Sequence, residues 1–103
     1  MKTVNLSVLD RLMLPQLLPQ QGGKIEILLA NSIAKKIEFS ASEISEFGLK
    51  DESGSVSWTN GSEATFEFTA EQVEILKSAS KRADEEKKIT RQNLLMIEKI
   101  DSL

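Results

Sequence analysis

The sequence predicts an α+β fold: a small single domain over residues 1–103, with several helices packed on one β-hairpin. Three observations lead there. Ser7, Ser40 and Thr69 each stand three positions before Asp10, Glu43 or Gln72 and just ahead of an apolar run. That is the reciprocal side-chain and backbone pattern with which helices start. Two alternating runs flank Asn60-Gly61 in the stretch "SVSWTNGSEATFEFT", a short-range hairpin signal. A hydrophobic content of 40% with 28% charged residues is that of a folded globular chain, not a disordered one.

The first helix should begin after Ser7 and turn Val8, Leu9, Leu12 and Met13 inward. Pro15 and Pro19 bracket its end, because proline removes a helical donor and disfavours helix at the residue before it. Gly22-Gly23 then frees the chain to turn. A second helix fits "KIEILLANSIAKKIEF", with Ile25, Leu28, Leu29, Ile33 and Ile37 near the spacing of one apolar stripe, although "KIEILL" alone also suits a strand. After Ser40, Ile44 and Phe47 share one side of a short helix that Gly48 suits as C-terminal cap. The acidic "KDESG" reads as a turn and lacks the alternating oxygen ligands of a calcium loop.

Register sharpens the hairpin. A two-residue turn at Asn60-Gly61 would set Trp58 opposite Glu63 and bury charge beside tryptophan, so a three- or five-residue loop is expected instead. It pairs Trp58 with Ala64 or Phe66, and Val56 with Phe66 or Phe68. Val56, Trp58, Phe66 and Phe68 then face inward, and Ser57, Thr59, Thr65 and Glu67 face water. This hairpin reads as a wall of the core; its solvent face offers no aromatic or basic row for a nucleic-acid strand. A long helix follows Thr69 with Val73, Leu76 and Ala79 or Ala83 inward. Thr90 starts a separate last helix with Leu94, Ile97 and Ile100 inward, or the two helices run together, since "DEEKKIT" holds no glycine to mark a break. Leu12, Leu17, Leu28, Ile33, Phe47, Trp58, Phe66, Phe68, Val73 and Leu76 should form one core, with a radius of gyration of about 13 Å for a chain of this length.

Composition removes several functions. No apolar run approaches the roughly 20 residues of a membrane span, and "MKTVNLSVLD" lacks a secretory h-region, so a cytoplasmic setting is expected. Thirteen Lys and Arg stand against 16 Asp and Glu, distributed as +2 over residues 1–40, −6 over 41–80 and +1 over 81–103. A nucleic-acid binder would carry a basic patch instead; the nearest stretch, "KSASKRADEEKKITR", mixes both signs as a solvated helix face does. With no Cys, His or Tyr, most side chains that attack or titrate near neutral pH are missing, no thiolate metal site exists, and neither a catalytic residue nor a cofactor is expected. The adjacent carboxylates Asp51-Glu52 and Glu85-Glu86 read as solvated charge, and the five glycines form no phosphate-cradling motif.

What stands in excess is "LDRLMLPQLLPQQGG". Between Val8 and Leu18 seven of eleven residues are large and apolar, more than one helix face hides. Either the proline-bent chain wraps the domain and both sides become core, or Met13, Leu14 and Leu18 form part of an exposed patch that docks a partner or a second copy. The order Ser7, Asp10-Arg11-Leu12, Leu17-Leu18-Pro19, Gly22-Gly23, then Phe39-Ser40, Glu43, Glu46, Gly48, then Gly54, Val56 and Trp58, resembles a family of small uncharacterised proteins found in phage and prophage gene sets. That resemblance implies a mobile-element origin and a cytoplasmic setting in a bacterial host, and it carries no site residue with it. Two functions are therefore expected. The first is non-catalytic binding of one host or phage protein, for instance to inhibit a host defence system, through the N-terminal apolar residues or the acidic set Asp51, Glu52, Glu63, Glu67, Glu71 and Glu74. The second is self-assembly as a virion or assembly component, a homo-oligomer built through Met13 and Leu14.

Overall fold

The chain opens with a strand that the sequence reading leaves unassigned. The computed structural model describes residues 1–52 and 54–103; Ser53 and the Glu52 side chain lie outside the described set. In chain order the elements are β1 (Lys2–Leu6), α1 (Val8–Leu17), α2 (Lys24–Lys36), α3 (Ala41–Phe47), β2 (Lys50–Glu52), β3 (Ser55–Ser57), β4 (Ala64–Phe68), α4 (Ala70–Glu85) and α5 (Leu94–Asp101). The fold is α+β, with a radius of gyration of 13.7 Å.

The strands pair differently from the expected hairpin. β4 pairs antiparallel with β1, Val4 opposite Phe66 and Leu6 opposite Ala64, while β3 pairs with β2, Asp51 opposite Val56. The helices thus pack on a two-stranded pair whose strands lie far apart in the chain, and a second, local hairpin replaces the "KDESG" turn. Asn60-Gly61 does not reverse the chain. A type I′ turn needs positive φ at both central residues, and the positive-φ residues among those described are Gly48, Gly54 and Lys87. Gly61 serves another need: a Cβ on it would meet Val8 Cγ2 at 2.6 Å. The face assigned to β4 holds, with Phe68 buried, Phe66 half-buried, and Thr65 and Glu67 exposed. Val56 is 42% exposed and lies outside the core.

All three capping boxes form. Ser7, Ser40 and Thr69 accept from the backbone N–H of Asp10, Glu43 and Gln72, whose side chains accept in return from the cap N–H. Pro15 lies inside α1, which continues two residues past it. α2 buries Ala30 and Ile33, and its C-cap Ile37 is buried too, while Ile25 and Leu28 face solvent; the helix packs on α4. α4 turns Val73, Leu76, Ala79 and Ala83 inward as expected, and adds Gln72 and Ser80. In α5 the buried residues are Met96, Ile97 and Ile100, with Leu94 exposed. Phe68, Leu6, Leu14, Ile33, Ile37, Leu76 and Met96 form the driest part of the core. Of the expected core, Leu12, Leu17, Trp58 and Phe66 are half-buried and Leu28 is exposed.

The break before α5 is made without glycine. Lys87 takes φ 57°, and Lys88 N–H reaches back to the Ala83 carbonyl at 2.8 Å, closing the end of α4 through a left-handed residue where glycine is usual. Thr90 and Asn93 then exchange side-chain to backbone bonds at 3.2 and 2.7 Å and start the turn into α5. Replacing Lys87 with Gly removes the Cβ strain of the left-handed conformation, partly offset by extra freedom in the unfolded chain. Lys87→Gly should stabilise the fold by ~0.5–1 kcal/mol and raise Tm by roughly 2–8 °C in calorimetry.

Candidate functional site

An apolar groove of about 240 Å³ opens between the β2–β3 hairpin and the helices α1 and α3, lined by Leu12, Phe39, Ile44, Leu49 and Val56, with Lys50 and Asp51 beside them. Two of its aliphatic side chains face solvent, Ile44 at 45% and Val56 at 42% exposure.

Each wall has a local cause. Ile44 projects from α3, a seven-residue helix fixed at its start by the Ser40–Glu43 box and at its end by Gly48 in the left-handed conformation. Gly48 directs the chain into β2, and a Cβ there would strike Thr59 Oγ1 at 2.6 Å. The hairpin returns to the same point, where Thr59 and Asn60 N–H both donate to the Phe47 carbonyl at 2.9 and 3.2 Å. Asp51 and Val56 are directly opposite in the hairpin, so they share a face, and both line the groove.

The floor rests on Arg11. Its side chain is buried, 3% exposed with the whole residue counted, and each of its three nitrogens donates. Nε donates to the Ile37 carbonyl at 3.1 Å and Nη2 to the Glu38 carbonyl at 2.9 Å. Nη1 and Nη2 form a fork on the Glu43 carboxylate at 2.6 and 3.0 Å. The guanidinium lies 4.1 Å from the Phe39 ring centroid and 5.1 Å from that of Phe66, a cation–π arrangement on both sides. Phe39 in turn meets Phe47 edge to face, with centroids 6.5 Å apart. The Arg11 hydrogen bonds, with those from the Ser40 backbone N–H, hold the Glu43 carboxyl down at about 2 from an ordinary 4.5.

The acidic residues singled out in sequence do not gather at one site. Asp51 lines the groove; the Glu52 side chain lies outside the described residues. Glu63 pairs with Lys99 at 2.9 Å, and Lys99 also reaches buried Asp10 at 2.7 Å. Partial burial opposes the Lys99 charge, but those two carboxylates outweigh it and raise its pKa above the ordinary 10.5. Glu67 is exposed on the outer face of β4, and Glu71 and Glu74 are exposed on α4. Leu14 and Leu18 are core, 1% and 5% exposed, so they form no docking patch; the wrapped-core alternative is the one the fold adopts. Met13 is half-buried and lines a separate cleft of about 260 Å³ between α1, α4 and α5, with Leu17, Ala79 and Met96 and a rim of Arg82, Glu86 and Lys88.

The sequence reading places Ile44 and Val56 inside and does not single out Leu12, Phe39 or Leu49 as a surface. A signal was present: four large apolar residues, Phe39, Ile44, Phe47 and Leu49, crowd residues 39–49, where the only helix has seven residues and a single side to bury. Among the described residues no three His, Cys, Asp or Glu side chains form a group that could hold a metal ion, and no helix is long and apolar enough to cross a membrane. No protein-family model, curated protein or solved structure matches the chain.

Two outcomes follow from the Arg11 clamp. Arg11→Met leaves the Glu43 carboxylate and two carbonyls without their donor and should destabilise by ~3 kcal/mol in urea unfolding; Arg11→Lys should recover only part, because one ammonium cannot make the fork and reach both carbonyls. A carboxylate with a lowered folded pKa stabilises the fold above its unfolded value near 4.5 and loses that contribution as pH falls through about 2. Wild-type Tm should therefore fall from pH 4.5 towards pH 2, and Glu43→Gln should flatten that part of the profile while lowering Tm at neutral pH.

Proposed function

We propose that the protein acts without catalysis, by binding another protein, and that the groove between the β2–β3 hairpin and α1 and α3 is the contact surface. The observation that carries this reading is the exposure of Ile44 and Val56 around an opening whose wall is otherwise Leu12, Phe39 and Leu49. Aliphatic side chains left in water around a concavity gain free energy when covered, about 25 cal/mol for each Å² of apolar surface removed from water, and such rims mark interaction sites.

The fitting partner presents a protruding aliphatic or aromatic side chain within a basic surface. Residues 38–57 carry Glu38, Glu43, Glu46, Asp51 and Glu52 against Lys50 alone, and one of those carboxylates is already neutralised by Arg11. Opposite charge on the partner speeds encounter and suppresses wrong partners, while the apolar anchor supplies affinity. A mobile-element accessory protein that holds one host protein, as an inhibitor of a host defence would, is the biological setting this chemistry and the phage-like order of residues support.

The test is capture of partners on the tagged protein from bacterial lysate, with and without phage infection, followed by titration of any stoichiometric partner. Ile44→Glu and Val56→Glu should each weaken binding tenfold or more, with Tm almost unchanged because neither side chain is core. Added salt should weaken the complex through the acidic rim. Wild-type affinity in both variants would remove the groove from the function.

A further inference from the structure

The β1–β4 sheet has two outer edges, and they are not alike. Thr65 Oγ1 donates to Asn5 Oδ1 across the strands at 2.6 Å, the close side-chain approach of a non-hydrogen-bonded antiparallel pair. Alternation makes Thr3–Glu67 a second pair of that kind and leaves Lys2–Phe68, Val4–Phe66 and Leu6–Ala64 to exchange the ladder bonds. The N–H and C=O groups of Thr65 and Glu67 then point out of the sheet beyond β4, and those of Thr3 and Asn5 point out beyond β1. Lys36 marks the same phase independently: its Nζ donates to the outward Glu67 carbonyl at 2.5 Å.

That lysine blunts the β4 edge, a usual protection against strand addition. The β1 edge has no counterpart. Among the described residues no hydrogen bond from another element reaches the N–H or C=O of Thr3 or Asn5, and both residues are exposed.

We propose that a second copy of this chain occupies the β1 edge, β1 pairing antiparallel with β1 of that copy about a twofold axis at Val4, to give one four-stranded sheet. The edge is self-complementary. Its two outward residues are spaced i, i+2, so Thr3 of each copy stands opposite Asn5 of the other and both N–H···O bonds are exchanged at each pair. The charges agree as well: Lys2, the one charged residue of β1, falls opposite Leu6 and away from its own equivalent. Val4, half-buried in one copy, meets Val4 of the other on the inner face and extends the apolar row of Val4, Leu6 and Phe66. A two-stranded sheet is marginal by itself, and four strands share a continuous apolar face. The interface is isologous and closes at two copies, and each remaining edge carries Lys36 on its Glu67 carbonyl.

β1 contributes no residue to the groove, so either surface can fail without the other. The test is sedimentation velocity from low micromolar to millimolar protein, with hydrogen exchange of individual amides on the same wild-type samples. Expected is a concentration-dependent dimer in which Thr3 and Asn5 amides exchange at least an order of magnitude more slowly than in the dilute monomer, while Val4 and Leu6 amides are protected in both. Thr3→Pro removes an outward donor and leaves the β1–β4 ladder intact; it should give a folded monomer throughout that range. A wild-type monomer at millimolar concentration overturns the proposal. So does a dimer with freely exchanging Thr3 and Asn5 amides, or one that survives Thr3→Pro.

Discussion

The guanidinium of Arg11 sits where α1, the end of α2, the start of α3 and the Phe66 ring of β4 converge, and the arrangement around it depends on its nitrogens finding acceptors. A buried cation in a domain this small is destabilising by several kcal/mol unless it is paired and hydrogen-bonded. Here two backbone carbonyls and a forked carboxylate accept from its three nitrogens, and two aromatic rings lie against it. Apolar residues of similar volume would tolerate several packings of α3 against α1. The fork tolerates one, because its bonds are short and directional. What the clamp contributes is less net stability than a unique position for Phe39, and with it the floor of the groove.

The same economy recurs at each capping box. The residue three places after the cap satisfies the helix start and also reaches another element. Asp10 accepts from the Ser7 N–H and from Lys99 of α5. Glu43 accepts from the Ser40 N–H and from Arg11 of α1. Gln72 accepts from the Thr69 N–H and from Lys36 of α2, and donates to Ser32 of the same helix. Among the described residues no buried side-chain nitrogen or oxygen is left unbonded. Three local signals therefore double as the polar joints of the tertiary structure, and helix starts and helix docking are coupled through single side chains.

That coupling explains which parts of the fold were legible in the sequence. Ser7, Ser40 and Thr69 announce their helices because a capping box is complete within four residues. The inward face of α4 and the alternation of β4 are legible for the same reason: their periods are local. The far ends of the joints are not, since nothing in Asp10-Arg11 says that one side chain turns to Lys99 and the other to Ile37, Glu38 and Glu43. The partner of β4 is likewise non-local. Alternation assigns Phe66 and Phe68 to the core without saying whether Val56 or Val4 stands opposite, and the strong turn signal at Asn60-Gly61 argues for the nearer strand. The apolar excess of α1 was visible, but what covers it was not: α1 meets α4 and β1, and Leu14 and Leu18 share one core cluster with Leu6 of β1 and Met96 of α5, elements that sequence reading left unassigned or uncertain. Of the candidate site only Asp51 was singled out, because exposed aliphatics at Ile44 and Val56 carry the same local pattern as core.

The groove also lies in the part of the molecule with the fewest ties to the rest. α3 and the β2–β3 hairpin bury Phe47 and little else that is large; the bonds on the Phe47 carbonyl tie the two to each other, and the Arg11–Glu43 fork and the Phe39–Phe47 contact join them to the helical body. Regions with few buried apolar contacts open before the whole domain does, and binding surfaces are drawn from them. Covering Ile44 and Val56 would supply the apolar contact of which α3 and β3 have little. The direction of the coupling is fixed by the clamp: whatever holds Glu43 on Arg11 holds Phe39 in place and preforms the site, and whatever protonates or displaces Glu43 loosens the groove first and leaves the core around Phe68, Ile33 and Leu76 intact.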